Sequence, residues 1–297
     1  MNTITQPRLR TGKPAFVEAA LPLLFIVLWS TGYPAGKLGL ASTGPLTLLS
    51  LRFASAAALL LGVAAFTGAP WPRTWRAWGH LAVTGLLIQG LHFVGIYEGV
   101  HLGLSAGVAA LLVGLMPLAT ALGGHLWLGE RMKRQQFWGL SGGLAGVLLV
   151  VLSRPLHAAA LAAYGAALLG LCGLVLGTLY QKRFCADMDL RSGAGIQMAA
   201  AAAVVSLLAW PVERFAVSWN AEFIATMLWI VFVNAIGAFS LMFVMIRRGQ
   251  ASQVARLFFL VPGVSALMGF VLLGEQLSLL ALAGFVIAGL AVSRSAP

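Results

Sequence analysis

Apolar residues occur along this chain in ten long runs, separated by short polar segments or segments rich in proline and glycine. A helix needs about 20 mostly apolar residues to cross the roughly 30 Å hydrocarbon core of a membrane, and most runs have about that length. Gly44-Pro45 and Arg154-Pro155 mark two of the breaks. The pattern therefore predicts ten transmembrane helices, over residues 17–37, 45–67, 77–99, 104–127, 135–153, 158–181, 192–212, 223–246, 250–273 and 277–294.

Composition supports a membrane protein and argues against a soluble one. Sixty per cent of the 297 residues are hydrophobic, 9% are charged, and the mean hydropathy is +0.93. Soluble domains carry about 25% charged residues, which they need to cover their surface. The formal charge of +11 is spread over short loops, so we expect no nucleic-acid partner. Cys172 and Cys185 lack metal-ligand spacing, so we expect neither a metal nor a cofactor.

The chain is an internal repeat, because it matches itself without a gap when it is shifted by 145 residues. We therefore predict an N-terminal tail over 1–16, a first repeat over 17–153 and a second repeat over 158–294. Each repeat has five predicted helices, an odd number, so the two repeats must be inverted relative to each other in the membrane. The matched pairs include Lys37 with Lys182, Pro117 with Pro262, Gly129 with Gly274, Glu130 with Glu275 and Gly139 with Gly284.

The basic residues predict the orientation of the chain. With both termini in the cytoplasm, fourteen Lys and Arg residues fall on the inner side and three on the outer side. Basic residues concentrate in cytoplasmic loops, so we expect a multi-pass protein of the plasma membrane (the bacterial inner membrane) with both termini cytoplasmic. Basic residues follow Glu130 but not the matching Glu275, as expected if the two turns face opposite sides.

The repeated motif resembles a known family. The proline, the Leu-Gly-Glu turn and the glycine of residues 117–139, repeated at 262–284, resemble the EamA repeat of the drug/metabolite transporter superfamily. Residues 29–37 and Leu51-Arg52-Phe53 are similar to the first unit of that family, and the chain is most similar to its YddG-type exporters of aromatic and other amino acids. The resemblance implies a basket of ten helices in which the first four helices of each repeat surround a central cavity. It also implies export of small metabolites. The repeats differ at Arg52, which is matched by Gln197, so roles do not transfer between them.

Polar groups inside membrane spans are costly, so each is a candidate for a binding site. A few polar anchors among apolar and aromatic walls suit an amphiphilic ligand, such as an amino acid with an apolar side chain. The alternative is that Gln89, His92 and Asn234 only hydrogen-bond neighbouring helices. Helical spacing places Gln89, His92, Phe93 and Ile96 on one face. The predicted cavity residues are Trp29, Tyr33, Gln89, His92, Phe93, Ile96, Tyr180, Asn234, Ala238 and Met242.

Lys37, Arg52 and Glu98 are predicted to form a charge cluster at the outer mouth. Arg52 lies about 10 Å along its helix from the outer end, so it needs a partner, and we expect Glu98. The cluster is either a structural ion pair or a contact for the substrate. Arg256, near the cytoplasmic end of the ninth span, either attracts a substrate carboxylate or extends to the lipid headgroups.

Pro117 and Pro262 lie inside the fourth and ninth spans, where each removes one backbone hydrogen bond and bends its helix. The two bends either shape packing only or act as hinges that open opposite mouths. Glu130 and Glu275 are expected to be structural, with each carboxylate bonding free amides at the start of the next helix.

The sequence favours a secondary carrier. It holds no nucleotide-binding motif, and no carboxylate falls near the predicted midplane, so we expect facilitated transport or loose coupling to protons. The predicted function is export of amino acids, aromatic or apolar ones, or of similar small metabolites by alternating access. Alternatives are a cationic drug or a sugar phosphate as substrate and, less favoured, an intramembrane enzyme. We expect a monomer, with a dimer as the alternative.

Overall fold

The computed structural model describes residues 15–131, 133–152, 158–238, 241–242, 244–245, 257–258 and 260–295. This part of the chain is helical apart from turns, short connections and one isolated β-bridge between Thr43 and Val217. Eight of its helices are long and apolar enough to cross a membrane, and two shorter apolar helices follow. The fold is therefore an all-α membrane protein of ten spans, which confirms the predicted fold class.

The spans begin and end close to the predicted positions. For the first seven spans and the tenth, each predicted end lies within three residues of the observed one. The predicted segment that joins the eighth and ninth spans falls largely outside the described residues. In chain order the helices are Ala15–Ser30 continued by Gly32–Leu40, Pro45–Phe66, Trp75–His101, Ala106–Gly114 continued by Met116–Leu128, Arg134–Leu152, Ala158–Phe184, Leu190–Glu213, Ala221–Ala238, Val261–Leu273 and Leu279–Ser295.

Local sequence explains several helix ends. Free backbone N–H groups at the start of a helix bond short polar side chains, and Thr74, Ser105 and Asn220 supply such caps for the third, fourth and eighth spans. The fourth and ninth spans end at Gly129 and Gly274, whose φ angles of 68° and 64° are left-handed. Glycine adopts that conformation without strain, so both helices stop at the Leu-Gly-Glu turn.

The two repeats pack against each other helix by helix. The second span packs on the seventh, the third on the sixth, the fourth on the ninth and the fifth on the tenth. Glycines allow the closest approaches. A Cβ atom at Gly146 would lie 2.6 Å from the Gly284 carbonyl oxygen, and one at Gly284 would lie 2.5 Å from that of Gly146. The fifth span also contacts the fourth, and the tenth contacts the ninth.

The contacts show that the repeats are inverted. A Cβ atom at Gly95 would lie 2.5 Å from the Ala166 carbonyl oxygen, and one at Gly177 would lie 2.5 Å from Ile88 Cγ1, so the third and sixth spans run antiparallel. The end of the third span, and with it Ala106, therefore lies far from Lys182 near the end of the sixth. Glu275 bonds Ala106 and Glu130 bonds Lys182, so the two Leu-Gly-Glu turns lie at opposite ends of the bundle.

Both prolines lie where their helices are interrupted. The fourth span breaks at Leu115, two residues before Pro117, and the described helix of the ninth span, Val261–Leu273, begins directly after the matching Leu260. Leu115 and Leu260 each donate to the carbonyl three residues earlier, at 3.1 and 2.9 Å, instead of four residues earlier. The missing proline N–H groups account for this local tightening. The interruptions fall at the prolines where bends are expected, and the role of the prolines as hinges stays a prediction.

Two spans carry wider turns at equivalent places. Residues Leu86–Leu91 of the third span and Trp229–Ala238 of the eighth form π-helical segments, and they overlap when one repeat is shifted by 145 residues onto the other. A π-helical turn contains one residue more than an α-helical turn and occurs frequently at functional sites. It also rotates the side chains after it relative to those before it.

Candidate functional site

Polar contacts surround the point where the first span is interrupted, at Thr31. Pro34 has no N–H to donate to the Ser30 carbonyl four residues earlier, so that oxygen accepts a hydrogen bond from Ser265 Oγ of the ninth span at 3.2 Å. Thr31 Oγ1 donates to the Leu28 carbonyl at 2.6 Å. The first span is thus held at its interruption by a residue of the other repeat.

Asn234, in the π-helical segment of the eighth span, contacts the same interruption. Its Nδ2 donates to the Leu28 carbonyl at 2.6 Å and to Thr31 Oγ1 at 3.3 Å. Trp229 Nε1 also donates to Thr31 Oγ1, at 2.9 Å. Asn234 is 8% exposed, and its Oδ1 has no hydrogen-bond partner among the described residues. The Nδ2 group of Asn234 therefore holds the first span in place, while Oδ1 can accept a further hydrogen bond.

Gln89 and Asn234 occupy equivalent positions, 145 residues apart, and both lie in the π-helical segments. The π-helical segment of the third span includes Gln89 and changes its spacing to the residues that follow. His92 Nδ1 lies 3.1 Å from the Gly170 carbonyl of the sixth span, whereas Phe93 contacts Arg52 of the second. His92, Phe93 and Ile96 follow in a regular α-helix, and the ring centres of His92 and Phe93 lie 4.8 Å apart, so the face that they are expected to share with Gln89 stays a prediction.

Arg52 is held by aromatic residues of the third span. Its guanidinium carbon lies 4.2 Å above the centre of the Phe93 ring, and its Nη1 donates to Tyr97 Oη at 3.0 Å. Arg52 is 9% exposed. None of the ion pairs among the described residues includes Arg52 or Glu98, so the prediction that Glu98 is its partner is wrong. Glu98 lies one residue beyond Tyr97, about 100° further round the helix.

The surroundings of Arg52 are mostly aromatic and apolar. Tyr33 and Phe93, both half-buried, pack on a core that includes Phe53, Ile96 and Tyr97. The ring centres of His92 and Phe93 lie 4.8 Å apart, and those of Phe93 and Tyr97 lie 6.1 Å apart. Tyr33, His92, Phe93 and Ile96 therefore belong to one region, with Arg52 as its cation.

Lys37 does not join Arg52 but forms an ion pair with the other repeat. Its Nζ lies 2.5 Å from Glu275 Oε1. The repeat-related residues form the matching pair, with Lys182 Nζ 2.5 Å from Glu130 Oε1. Glu275 also accepts from the Ala106 N–H, at 3.0 and 3.1 Å for its two oxygens. The carboxylate at this turn thus caps a helix of the other repeat, not the next helix in the chain.

Comparisons with known proteins agree with this architecture. The model of the EamA-like transporter family matches residues 18–152 and again residues 161–294. The chain belongs to this family. The uncharacterized transporter YvbV of Bacillus subtilis is 30% identical over 92% of this chain and 90% of its own length. A probable amino-acid metabolite efflux pump of Salmonella typhimurium is 26% identical over 91% of each chain.

A solved structure supports the fold of this EamA-like transporter. A crystal structure that covers 93% of this chain and 98% of its own superposes with a TM-score of 0.66 at 21% identity. At that identity the likeness concerns the fold alone. The relatives' names describe transporters and an efflux pump, so this multi-pass membrane protein is a transporter of the same family.

The remaining predicted cavity residues of the transporter lie in two other places. Trp29 packs edge-on against Phe258, with ring centres 4.9 Å apart, and shares a cluster with Met242. Ala238 is buried at the end of its π-helical segment. Tyr180 Oη lies 2.8 Å from His80 Nδ1 near the end of the sixth span, so it is separate from Arg52. Arg256 lies outside the described residues.

A groove of about 370 Å³ opens elsewhere on the transporter, between the second, third and seventh spans. Its lining includes Trp71, Trp75, Trp78, Leu61 and Ile196, and it contains none of the predicted cavity residues. Tryptophan collects at the membrane–water interface, so an apolar groove rich in tryptophan suits lipid contact. In the described part of the chain, no three His, Cys, Asp or Glu side chains come together as a metal site would require.

The sequence reasoning missed Tyr97, Ser265, Trp229 and the two lysine–glutamate pairs as parts of the site. The pairs had a signal, because the shift of 145 residues superposes both lysines and both glutamates. No signal in the sequence indicated the contacts of Ser265 and Trp229, since these contacts depend on where the first span is interrupted.

Proposed function

We propose that this transporter is a secondary carrier that exports amino acids with apolar or aromatic side chains by alternating access. The observation that carries this proposal is the relation between Lys37–Glu275 and Lys182–Glu130. Each pair joins the first helix of one repeat to the Leu-Gly-Glu turn of the other, and the pairs lie at opposite ends of the bundle. Two such links that open in turn would expose a central site to one side and then the other.

The two pairs differ in exposure, which fits a structure closed at one end. The side chain of Glu275 is 5% exposed and that of Lys37 is 34% exposed, whereas Lys182 and Glu130 are 60% and 46% exposed. An ion pair screened by water is weak, so the Lys182–Glu130 link opens more readily. With the orientation predicted from the basic loops, the closed end faces outward and the looser end faces the cytoplasm. An exporter loads its substrate in such a state.

The side chains near the centre support an amphiphilic substrate of small net charge. Arg52 offers a cation that contacts the rings of Phe93 and Tyr97, Asn234 Oδ1 offers a free acceptor, and Tyr33 packs on the same core as Phe93. An amino acid with an apolar side chain carries a carboxylate, an ammonium group and an apolar body that match these features. The name of the Salmonella relative, an amino-acid metabolite efflux pump, supports the same substrate class.

The proposed setting is the bacterial inner membrane with both termini in the cytoplasm, on the strength of the basic loops. The proposed carrier works without ATP and holds no resident cofactor. It functions as a monomer. Transport is facilitated or loosely coupled to protons, because the acidic residues in the described spans lie near helix ends.

Counterflow in proteoliposomes tests this function. Vesicles loaded with unlabelled L-phenylalanine should accumulate labelled L-phenylalanine transiently. Vesicles loaded with an unlabelled sugar phosphate or quaternary ammonium cation should not accumulate the labelled form of that compound. Protein-free vesicles provide the baseline. A pH gradient across the same vesicles should change the initial rate only slightly. Exchange of the phosphate or the cation in place of the amino acid would show that the proposed substrate class is wrong.

A further inference from the structure

We infer that Arg52, stacked on Phe93 and anchored to Tyr97, is the binding site for the carboxylate of the transported substrate. This inference rests on the proposed function, since it names the group that holds one end of the amino acid. It replaces the expected structural ion pair with Glu98 by a site that an anionic ligand completes.

The first step of the argument is the charge that Arg52 leaves uncompensated. A guanidinium inside a membrane span is costly and almost always pairs with an acidic group or with backbone carbonyls. Arg52 is nine-tenths buried, and its described hydrogen bond goes to a neutral phenol. No described carboxylate lies within ion-pair distance of it. A carboxylate brought by the substrate would supply the missing counter-charge.

The second step is the way the guanidinium is held. The Phe93 ring lies 4.2 Å from the guanidinium carbon and fixes one face of its plane, while Tyr97 Oη accepts from Nη1 alone. A guanidinium has five N–H donors in a rigid fork that matches a carboxylate with two parallel hydrogen bonds. One donor serves Tyr97, so the remaining donors can receive a planar anion. Arg52 is thus oriented before the substrate arrives.

The third step is the surroundings, which select the kind of anion. Phe93 and Tyr97 contact the guanidinium, the Phe53 ring packs against Phe93 with ring centres 6.0 Å apart, and Tyr33 and Ile96 belong to the same apolar core. A single arginine balances one negative charge, so it suits a monocarboxylate better than a phosphate dianion. Aromatic and apolar neighbours favour a carboxylate that carries an apolar body. The substrate class is therefore monocarboxylates with an apolar or aromatic side chain, amino acids among them.

Gly36 of the first span supports the position of Tyr97. A Cβ atom at Gly36 would lie 2.8 Å from Tyr97 Cζ and Oη, so the phenol is seated directly against the backbone there. The next residue is Lys37, which pairs with Glu275. The same turn of the first span therefore seats the phenol that orients Arg52 and carries the lysine of the ion pair.

Substrate analogues that differ in one charged group test the inference on the purified full-length protein. L-phenylalanine carries both groups, L-phenylalaninamide lacks the carboxylate, and 3-phenylpropionate lacks the ammonium. The apparent Kd of each is measured by competition in counterflow and by thermal stabilisation in detergent. Arg52→Gln removes the charge and resembles Gln197 at the equivalent position of the second repeat, and Arg52→Lys keeps the charge without the fork. Arg191→Gln is the matched control, because it makes the same change at an ion pair on the protein surface at the start of the seventh span.

We expect Arg52→Gln to raise the apparent Kd of L-phenylalanine and 3-phenylpropionate by about 10- to 100-fold, the range for a hydrogen bond to a charged group. The Kd of L-phenylalaninamide should change less than threefold, Arg52→Lys should be intermediate, and Arg191→Gln should match the wild type. A purely structural Arg52 would affect the acid and the amide alike, so equal losses for both would overturn the inference.

The panel also separates the inference from the proposed function. If the wild type binds 3-phenylpropionate in an Arg52-dependent way but exchanges no amino acid, the carboxylate site stands and the proposed substrate is wrong. If the wild type exchanges amino acids, but Arg52→Gln weakens the binding of L-phenylalanine and L-phenylalaninamide by the same factor, the proposed function stands and the inference is wrong. If the wild type neither binds nor exchanges any carboxylate, both are wrong.

Discussion

Lys37 and Glu275 lie 238 positions apart in the chain, yet Lys37 Nζ is 2.5 Å from Glu275 Oε1. The contact fastens the first span of one repeat to the turn that ends the ninth span in the other. The same two positions in the opposite repeats, Lys182 and Glu130, form the same contact at the other end of the bundle. When a duplicated repeat lies in the membrane in the opposite orientation, a contact between the two repeats at one end of the bundle has an equivalent contact at the other end.

Removing either lysine should shift the transporter towards opening at the end from which the lysine is lost. Lys37→Met should favour an opening at the Glu275 end, and Lys182→Met should favour an opening at the Glu130 end. A change of about 1 kcal/mol in the balance of two states alters their ratio about fivefold. The measurement is labelling of Gln89→Cys by a membrane-impermeant thiol reagent from each side, in a chain whose Cys172 and Cys185 are replaced by alanine.

Opposite shifts in the two variants are the expected result, with the cysteine-free chain as the labelling control. The effect of Lys37→Met should be the larger, because Glu275 is nearly buried and Glu130 is not. Identical labelling patterns in both lysine variants would contradict the assignment of the pairs to opposite mouths.

Gly36→Ala should weaken both the fold and the binding of carboxylates. Its new methyl group would lie 2.8 Å from Tyr97 Cζ, so the phenol must move away from Arg52. Overfilling a packed interior costs about 1–3 kcal/mol of unfolding free energy. We expect a lower unfolding temperature in detergent and a raised apparent Kd for L-phenylalanine. Gly165→Ala is the control, because open space surrounds Gly165, and a matching loss there would contradict the explanation.

The spans were predictable from the sequence because a membrane imposes a length and a composition on each helix. The predicted break at Gly44-Pro45 and the observed start at Pro45 coincide, because proline suits the first turn of a helix and keeps the residue before it extended. Inversion followed from the odd number of helices in each repeat. These features depend on short stretches of chain or on counting, and neither requires knowledge of how distant residues meet.

The site was less predictable because it depends on departures from regular helices. Regular α-helical spacing predicts one face for Gln89, His92 and Phe93, but Gln89 lies in the π-helical segment at Leu86–Leu91, where that spacing does not apply. The partner of Arg52 was sought among carboxylates because a buried cation ordinarily has one. The structure provides an aromatic ring and a phenol instead, in Phe93 and Tyr97. Sequence patterns do not reveal a site that is completed by its ligand.

Replacing the repeat-related amides should separate a structural role from a transport role. Asn234→Ala removes the donor to the Leu28 carbonyl at the interruption of the first span. Hydrogen bonds between membrane helices contribute about 0.6 kcal/mol on average, so two lost bonds should cost roughly 1 kcal/mol of stability. Gln89→Ala should leave the unfolding temperature nearly unchanged and reduce counterflow if Gln89 contacts substrate. The comparison is made by thermal unfolding and counterflow of both variants, and equal destabilisation would refute it.

Asp189 should make the stability of the transporter depend on acidic pH. Its carboxylate lies just before the seventh span, where Oδ2 pairs with Arg191 Nη2 at 3.0 Å and Oδ1 accepts from the Arg191 N–H at 2.9 Å. The Arg191 side chain is the main cause of a lowered pKa of Asp189, burial opposes it, and the backbone N–H groups of Arg191 and Ser192 add to the lowering. Because the folded pKa is depressed, the stabilisation is complete above the unfolded pKa of about 3.9 and is lost as the pH falls through the folded value.

Two variants divide this contribution of Asp189 into charge and helix cap. Asp189→Asn keeps a cap and loses the charge, so it should be less stable than the wild type at pH 7 by up to about 1 kcal/mol. That difference should shrink below about pH 4 as the wild-type carboxyl takes up a proton. Asp189→Ala loses the cap as well, which costs about 1 kcal/mol more. Thermal unfolding in detergent between pH 3 and pH 7 measures both effects. A gap between wild type and Asp189→Asn that stays constant over this range would show that the Arg191 contact does not stabilise the folded state.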